Sequence, residues 1–309
     1  VNIRKAIIAY KSGSQVGKDW AERCSCELES LGVKVLMGPT GANDNPYPVF
    51  IESLHREIDF ALILGGDGAT LGAARYLARL GVPILAINVG GHLGFLTHAI
   101  EECQNTQEIW ERLLSDRFAI ERRMMLEAKV ITVDKCLGMN ISQPQESFLC
   151  LNEMCVKPAS PDRMVTASLE LEIDGEIVDQ YHGDGLIVAT PTGSTSYTVA
   201  ANGPIVHPGM HAIAITPICP LSLSSRAIVI PPKLTVSIWP LSIDDLSLKL
   251  WTDGVIASSI FHGQKVDIRM SEHQAQFIVL REDYSYYQAL RQKLLWTGAR
   301  VRYPNQNRD

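Results

Sequence analysis

The stretch from Phe60 to Leu80 constrains the fold of this chain more than any other. Phe60-Ala61-Leu62-Ile63-Leu64 is apolar at every position, so it reads as a strand buried on both faces, the kind found in parallel sheets with helices packed on either side. It runs into Gly65-Gly66-Asp67-Gly68, then a helical pattern from Ala69 to Leu80, then a second buried strand from Ile84 to Val89. Strand, turn, helix and strand in that order form a βαβ unit. The same grammar holds upstream. Ile3 to Tyr10 reads as a buried strand, and Trp20, Cys24, Leu28 and Leu31 recur at helical spacing before Gly32, a natural helix stop. Val33 to Met37 is a further strand, and a Pro/Gly/Asn-rich loop from Gly38 to Pro48 leads to a short helix near Val49 to Arg56. An α/β N-terminal domain with a parallel sheet of the doubly wound type is expected over residues 1–118.

Beyond Phe118 the pattern changes to short strands. Val165, Ala167, Leu169, Leu171 and Ile173 alternate strictly with Thr166, Ser168, Glu170, Glu172 and Asp174, and Asp174-Gly175 supplies a hairpin turn. Further runs at Gly185 to Thr190, Ala212 to Thr216, Ala227 to Ile230, Leu234 to Ile238, Ser247 to Trp251, Val266 to Arg269 and Phe277 to Leu280 are set apart by Pro, Gly and Ser. They predict an all-β C-terminal domain over 119–282, β-rich and substrate-binding. Tyr284 to Trp296 returns to helical spacing, with Tyr287, Leu290 and Leu294 on one side, and predicts a C-terminal helix and tail, 283–309, packing on the N-terminal domain. With 309 residues, 46% of them hydrophobic, the chain has core for one large domain or two ordinary ones.

Charge and cysteine usage narrow the partners. The formal net charge is -6 and no Lys/Arg stripe recurs along a predicted face, so no nucleic-acid partner is expected. The seven cysteines are scattered, and the closest pair, Cys24 and Cys26, has no second pair to complete a metal site, which points to a reduced, cytoplasmic compartment. Asn2 to Tyr10 is too short and too charged for a signal sequence, and no apolar run approaches about 18 residues, so neither secretion nor a membrane partner is expected.

The Gly65 turn lies at the carboxyl end of a parallel strand, where α/β sheets build their sites. Its glycines allow a phosphate chain to approach the backbone amides, and the helix N-terminus that follows favours negative charge. Asp67 is then anomalous, because bound phosphates repel a carboxylate. It fits a proton acceptor or a group facing magnesium, and it equally fits a plain helix cap. Gly13-Ser14-Gln15-Val16-Gly17-Lys18-Asp19 fails as a P-loop, being one residue short between its glycines and carrying Asp19 where Ser or Thr must meet magnesium. The loop Asn88 to Gly94 lacks the Gly-x-Gly-x-x-Gly spacing of a Rossmann fingerprint. A longer loop, from Gly183-Asp184-Gly185 through Thr190-Pro191-Thr192-Gly193-Ser194-Thr195-Ser196-Tyr197, offers hydroxyls and amides with little bulk. That suits ribose and base recognition, with Tyr197 able to stack on a ring; a Ser/Thr-rich turn is the plain alternative. Leu151-Asn152-Glu153 sets an amide beside a carboxylate, suited to adenine or ribose hydroxyls or to nothing more than a surface strand end.

In this order and with comparable spacing, Gly65-Gly66-Asp67-Gly68, Asn88 to Leu96 ending in Gly94-Phe95-Leu96, Leu151-Asn152-Glu153 and Asp184 to Tyr197 resemble the NAD kinase family over nearly the whole chain. Pro217-Ile218-Cys219-Pro220, Leu223-Ser224-Ser225-Arg226 and Asp253-Gly254 look like later segments of the same family. The resemblance implies an ATP-dependent kinase that phosphorylates the 2′-hydroxyl of the adenosine ribose of NAD, with the dinucleotide between the two domains. It implies Asp67 as the catalytic base, Gly68 close to the substrate, and Asn152 and Glu153 around the adenosine half of NAD. Thr192, Thr195, Ser196 and Tyr197 would line adenine and ribose, and Asp184 would bind toward the nicotinamide end. Arg163, His182 and Ala200 stand at positions where the family has ligand-binding or pocket-lining residues. Magnesium or another divalent metal is expected with ATP rather than in a site of its own, and a homodimer or homotetramer is implied in which a neighbouring subunit completes the NAD site. Two departures stand out: Val255 replaces the Gln that often follows the late Asp-Gly, and Gly91-His92 adds a residue to the Asn88 loop. Two alternatives share features with this chain: a lipid kinase of the diacylglycerol or sphingosine type, which also carries a Gly-Gly-Asp-Gly loop, and a non-catalytic dinucleotide sensor.

Overall fold

The computed structural model describes residues 3–41, 47–53, 57–90, 94–134, 139–140, 146–159, 165–241, 248–280 and 285–294. His92 and Arg163 lie outside the described residues. The first half is the α/β unit expected from the sequence. Strands Lys34–Pro39, Lys5–Tyr10, Phe60–Leu64 and Ile84–Asn88 lie side by side in that order, all parallel. Helix α1 (Gln15–Ser30) is capped by Ser14, whose hydroxyl accepts from the Gly17 N–H, and it ends where Gly32 at φ +85° lets the Val33 N–H reach back to the Leu28 carbonyl at 3.0 Å. Helices α2 (Pro48–Glu52), α3 (Asp67–Leu77) and α4 (Thr106–Leu114) complete this half.

The apolar sequence of each strand divides between two cores, as period-two side-chain alternation requires. On one face, Ile7, Ala61 and Ile63 pack with Val49 and Phe50 of α2 and with Leu71, Ala74 and Leu77 of α3. On the other, Ile8, Leu62 and Leu64 pack with Cys24 and Leu28 of α1 and Ile109, Trp110 and Leu113 of α4. A fully buried Leu or Ile of this kind contributes roughly 1.5–3 kcal/mol relative to an exposed one. Both cores also recruit residues from the second half: Met125, Leu149, Leu151, Ala275 and Phe277 on the α2–α3 side, and Ile120, Ile278 and Leu280 on the α1–α4 side.

The second half is β-rich, as its alternation indicates, but only part of it forms a sheet of its own; the rest extends the sheet of the first half. Val266 to Arg269 and Phe277 to Leu280, read from the sequence as separate runs, belong to one strand, Gln264–Val279. It pairs antiparallel with the equally long Ala119–Asp134 and touches Ile84 through Phe277 in parallel register, with the ladder irregular between Met270 and Gln274. The parallel sheet of the first half therefore continues, through this strand, Val236–Pro240, Ala167–Ile173 and Glu176–Gly183, into one sheet of twelve strands among the described residues. The expected hairpin closes at Asp174 and Gly175, both at positive φ. A six-stranded antiparallel sheet, built from Ile228–Ile230, Ile213–Ile218, Gly185–Ala189, Glu153–Pro158, Leu248–Thr252 and Val255–Ile260, packs against the far part of the large one through Leu126, Leu169, Leu186, Val188, Ile215 and Ile268. Two short helices remain, α5 (Tyr197–Ala200) and the C-terminal α6 (Tyr286–Lys293). In α6, Leu290 is buried, Tyr287 is exposed, and Tyr286 and Tyr287 lie against His207 at 4.8 and 5.7 Å between ring centroids.

Candidate active site

Asp67 opens α3, yet its carboxylate does not cap that helix. Gly66 is the N-cap and makes no side-chain cap bond, while the Asp67 oxygens turn to the loop after the next strand: the Phe95 N–H donates to Oδ2 at 2.6 Å and the Leu96 N–H to Oδ1 at 3.1 Å. Gly94 is required here, because a Cβ at that position would collide with Asp67 Oδ1 and stand 2.7 Å from its Cγ. On the other side of the turn, a Cβ on Gly66 or Gly68 would meet nothing within 4 Å, so the backbone is bare where a ligand would approach. Lys293 of α6 sits over the Phe95 ring, 4.0 Å from its centroid. Burial pulls its ammonium down to about 8, against the attraction of the Asp67 charge.

The segment Leu151–Glu153 is held from two sides. From the turn between Leu248–Thr252 and Val255–Ile260, Asp253 accepts from the Asn152 N–H at 2.7 Å and from the Leu151 N–H at 3.1 and 3.2 Å, and its own N–H donates to the Glu153 carbonyl at 3.0 Å. From the hydroxyl-rich loop, the Thr190 N–H donates to the Asn152 carbonyl at 2.9 Å and the Thr190 hydroxyl to the Leu151 carbonyl at 2.5 Å. Gly193 lies so close that a Cβ there would overlap the Asn152 carbonyl and stand 2.7 Å from its Cα.

The hydroxyls of this loop divide by task. Thr190 and Ser194 are buried and serve its own architecture, Ser194 donating to the Pro191 carbonyl at 2.6 Å and accepting from the Val206 N–H at 2.9 Å. Thr192 accepts from Arg123 Nη1 at 3.3 Å, and Thr195 donates to the Thr192 carbonyl at 3.3 Å. Ser196 and Tyr197 flank Glu153, with Lys157 Nζ 5.9 Å from the Tyr197 ring centroid. Ala200 is exposed at the end of α5. His182 is exposed on the outer hairpin, its Nδ1 2.7 Å from the Ser168 hydroxyl and its Nε2 3.3 Å from that of Thr166. Asp184 joins the Glu176–Gly183 and Gly185–Ala189 strands, its N–H donating to the Ile218 carbonyl at 2.9 Å.

Glu153 carries the most telling electrostatics. It is 6% exposed, and its Oε2 has no hydrogen-bond partner among the described residues. Burial first, and the nearby Asp253 charge second, push its carboxyl up to about 8, with Ser196 and the Tyr197 amide drawing it partly back. Near neutral pH it therefore holds a proton and can donate as well as accept. Because the folded chain binds this proton more tightly than the unfolded chain, the linked stability is full below pH 4.5 and is lost as pH rises toward about 8. Glu153→Gln, which cannot ionise, is expected to gain melting temperature over wild type as pH rises from about 5 to about 8.5, each kcal/mol appearing as roughly 2–4 °C. A difference in melting temperature that stays flat across that range would show that Glu153 keeps an ordinary carboxyl.

Arginines join the two groups of residues. Arg123 pairs with Glu121, Nη2 donating to Oε2 at 3.0 Å and Nε lying 3.0 Å from Oε1, while reaching Thr192; it also lines a cavity of about 50 Å³ whose other walls include Phe95, Leu96 and Thr97 of the loop that holds Asp67. Arg75 of α3 pairs with Asp253 at 3.1 Å. Arg75, Arg123 and Lys293 are absent from the sequence-based expectations. Arg75 was legible: it falls on the apolar stripe of α3 with Leu71 and Ala78, where a charge is costly without a partner. Lys293 was not, because only the fold brings α6 to Phe95.

A bare glycine turn with a carboxylate at the end of a parallel strand, tied to a hydroxyl-rich loop from a β-rich half, defines a nucleotide-handling protein of two unlike halves. The profile described as the ATP-NAD kinase N-terminal domain matches residues 8–118, and that described as the ATP-NAD kinase C-terminal domain matches residues 151–280. The chain belongs to the NAD kinase family. It is 58% identical over 303 residues to NAD kinase 1 of Trichormus variabilis, covering 98% of each chain, and 57% identical over 311 residues to NAD kinase 1 of Synechocystis sp., covering 100% of this chain and 99% of that one. Among solved structures it is similar to an NAD kinase from Archaeoglobus fulgidus in complex with ATP, with 26% identity, a TM-score of 0.67, and coverage of 90% of this chain and 94% of that one. It shares its fold with yeast NADH kinase complexed with NADH, at 22% identity, a TM-score of 0.80, and coverage of 98% and 90%.

Proposed function

We infer that the protein is an NAD kinase, transferring the terminal phosphoryl group of ATP to the 2′-hydroxyl of the adenosine ribose of NAD to give NADP and ADP. The observation that carries this is the placement of Asp67, whose carboxylate is held by the Phe95 and Leu96 amides beside an open glycine turn instead of being used to cap its own helix. In this reading the 2′-hydroxyl gives its proton to Asp67 as its oxygen bonds to the γ-phosphorus, and the bond from that phosphorus to the β-phosphate bridging oxygen breaks. Asn152 and the protonated Glu153 read adenosine hydroxyls and ring atoms, with Thr192, Thr195, Ser196 and Tyr197 completing the wall. The family resemblance adds Gly68, Arg163, His182, Asp184 and Ala200 to the surroundings of the dinucleotide. Most of the acceleration comes from positioning and charge neutralisation, as in phosphoryl transfer generally.

A divalent metal carried by ATP, magnesium first among them, would supply neutralisation of phosphate charge. Among the described residues no three His, Cys, Asp or Glu side chains gather to hold a metal. Among the described residues no helix is long and apolar enough to cross a membrane. The free thiols of Cys24, Cys150 and Cys155 fit a reducing, cytoplasmic setting. Exposed Leu221 and Leu223, at 66% and 91%, supply apolar surface for the homodimer or homotetramer that the resemblance implies. Purified protein incubated with NAD, magnesium and ATP is expected to yield NADP, read by an NADP-specific dehydrogenase. Absence of NADP, with a lipid alcohol phosphorylated instead, would overturn the reading.

A further inference from the structure

The Arg75–Asp253 pair is the most deeply buried ion pair of the described residues, with side chains 6% and 0% exposed. One partner belongs to α3, the helix that begins with Asp67; the other belongs to the β-turn that holds Leu151, Asn152 and Glu153 by their backbones. Arg75 lies eight helical steps beyond Asp67, about 12 Å of rigid rod. Asp253 sits at φ +48° ahead of Gly254 at φ +82°, so its backbone is fixed by the turn and its carboxylate by Arg75 and two amides. Helix α3 thus joins Asp67 to Arg75, and polar contacts run on from Arg75 to Asp253, through the Asn152 backbone and into Thr190 of the hydroxyl-rich loop.

We infer that Arg75 and Asp253 are positioning residues, which together fix the Asn152–Glu153 segment at a set separation from the Asp67 carboxylate. This rests on the kinase reading above only for its link to turnover. Both side chains are buried. They act on the acceptor by holding two loops from different halves of the chain in one frame. Displacement of a reacting group by about 1 Å can cost on the order of a hundredfold in rate, so the frame matters more for turnover than for occupancy.

The test compares wild type with Arg75→Met, Arg75→Lys and the double variant Arg75→Met/Asp253→Asn, which leaves no buried charge without its counterpart. Activity with NAD and ATP is measured alongside amide hydrogen exchange over 151–153 and 94–97. Arg75→Met is expected to lower kcat about tenfold to a hundredfold, to change KM for ATP less than about twofold, and to speed exchange at Leu151 and Asn152 about tenfold or more; Arg75→Lys is expected to recover much of the kcat. A folded Arg75→Met or double variant with kcat within about twofold of wild type and unaltered exchange overturns the inference. So does failure of both to fold while Arg75→Lys is folded and unaltered in both measurements, since the pair would then serve stability alone. If wild type makes no NADP, the kinase reading falls by itself, and the exchange measurement still decides whether the pair fixes the segment.

Discussion

Asp67→Asn is expected to fold, to hold NAD within a few-fold of wild type, and to lose turnover by roughly 10²- to 10⁴-fold, the usual contribution of a general base. The substitution keeps one oxygen for an amide of the Phe95–Leu96 loop and sets an NH₂ against the other, so about one hydrogen bond is lost, a cost of roughly 1–3 kcal/mol. Neither the shape of the glycine turn nor the Asn152–Glu153 segment depends directly on the missing charge. The loss should therefore fall on kcat, measured at saturating NAD and ATP, and leave KM for NAD nearly still. A variant retaining more than a tenth of wild-type kcat would remove Asp67 from the proton transfer. A variant that loses NAD binding and melting temperature together would make it a structural tie for the 94–97 loop.

Among the described glycines, Gly193→Ala should be the most damaging single-methyl change. The atoms its Cβ would strike are main-chain atoms of Asn152, which cannot swing aside as a side-chain end would. Asn152 is pinned on one flank by its N–H to Asp253 and on the other by its carbonyl to the Thr190 N–H. Relief has to come from parting the two loops that the kinase reading assigns to the acceptor. Overpacking of this kind costs roughly 1–3 kcal/mol, and its functional expression is expected to be a KM for NAD raised more than about tenfold. Thermal melts and NAD titrations check both effects. Unchanged values would mean that the loops separate freely and that their contact has no part in the site.

Much of this molecule was legible before its structure. The all-apolar Phe60–Leu64 required a strand covered on both faces, and Asp174-Gly175 required a tight turn at positive φ; both are present. The long pair Ala119–Asp134 and Gln264–Val279 was not legible. Glu121, Arg122 and Arg123 interrupt the apolar alternation of the first, and the polar Ser271–Gln274 divides the second into two apparent strands. Asp67 remained ambiguous between cap and base because local sequence is the same for both; the bonds that take its carboxylate away from a cap come from Phe95 and Leu96, beyond the following strand. Glu153 was visible as a polar pair with Asn152, but its raised carboxyl comes first from burial and then from Asp253, a hundred residues away along the chain and a near neighbour only in the folded state.

The shared seam has a consequence for how this protein can be taken apart. Phe277 and Met125 finish one core of the α/β half, and Ile278, Leu280 and Ile120 finish the other. A fragment ending at residue 118 would expose both cores at once and leave the Ile84–Asn88 strand without its Phe277 contact. The two halves are therefore not interchangeable modules. A chimera drawing its first half from one relative and its second from another has to carry the seam as a matched set, and crossover points chosen by similarity to family segments alone would cut through it.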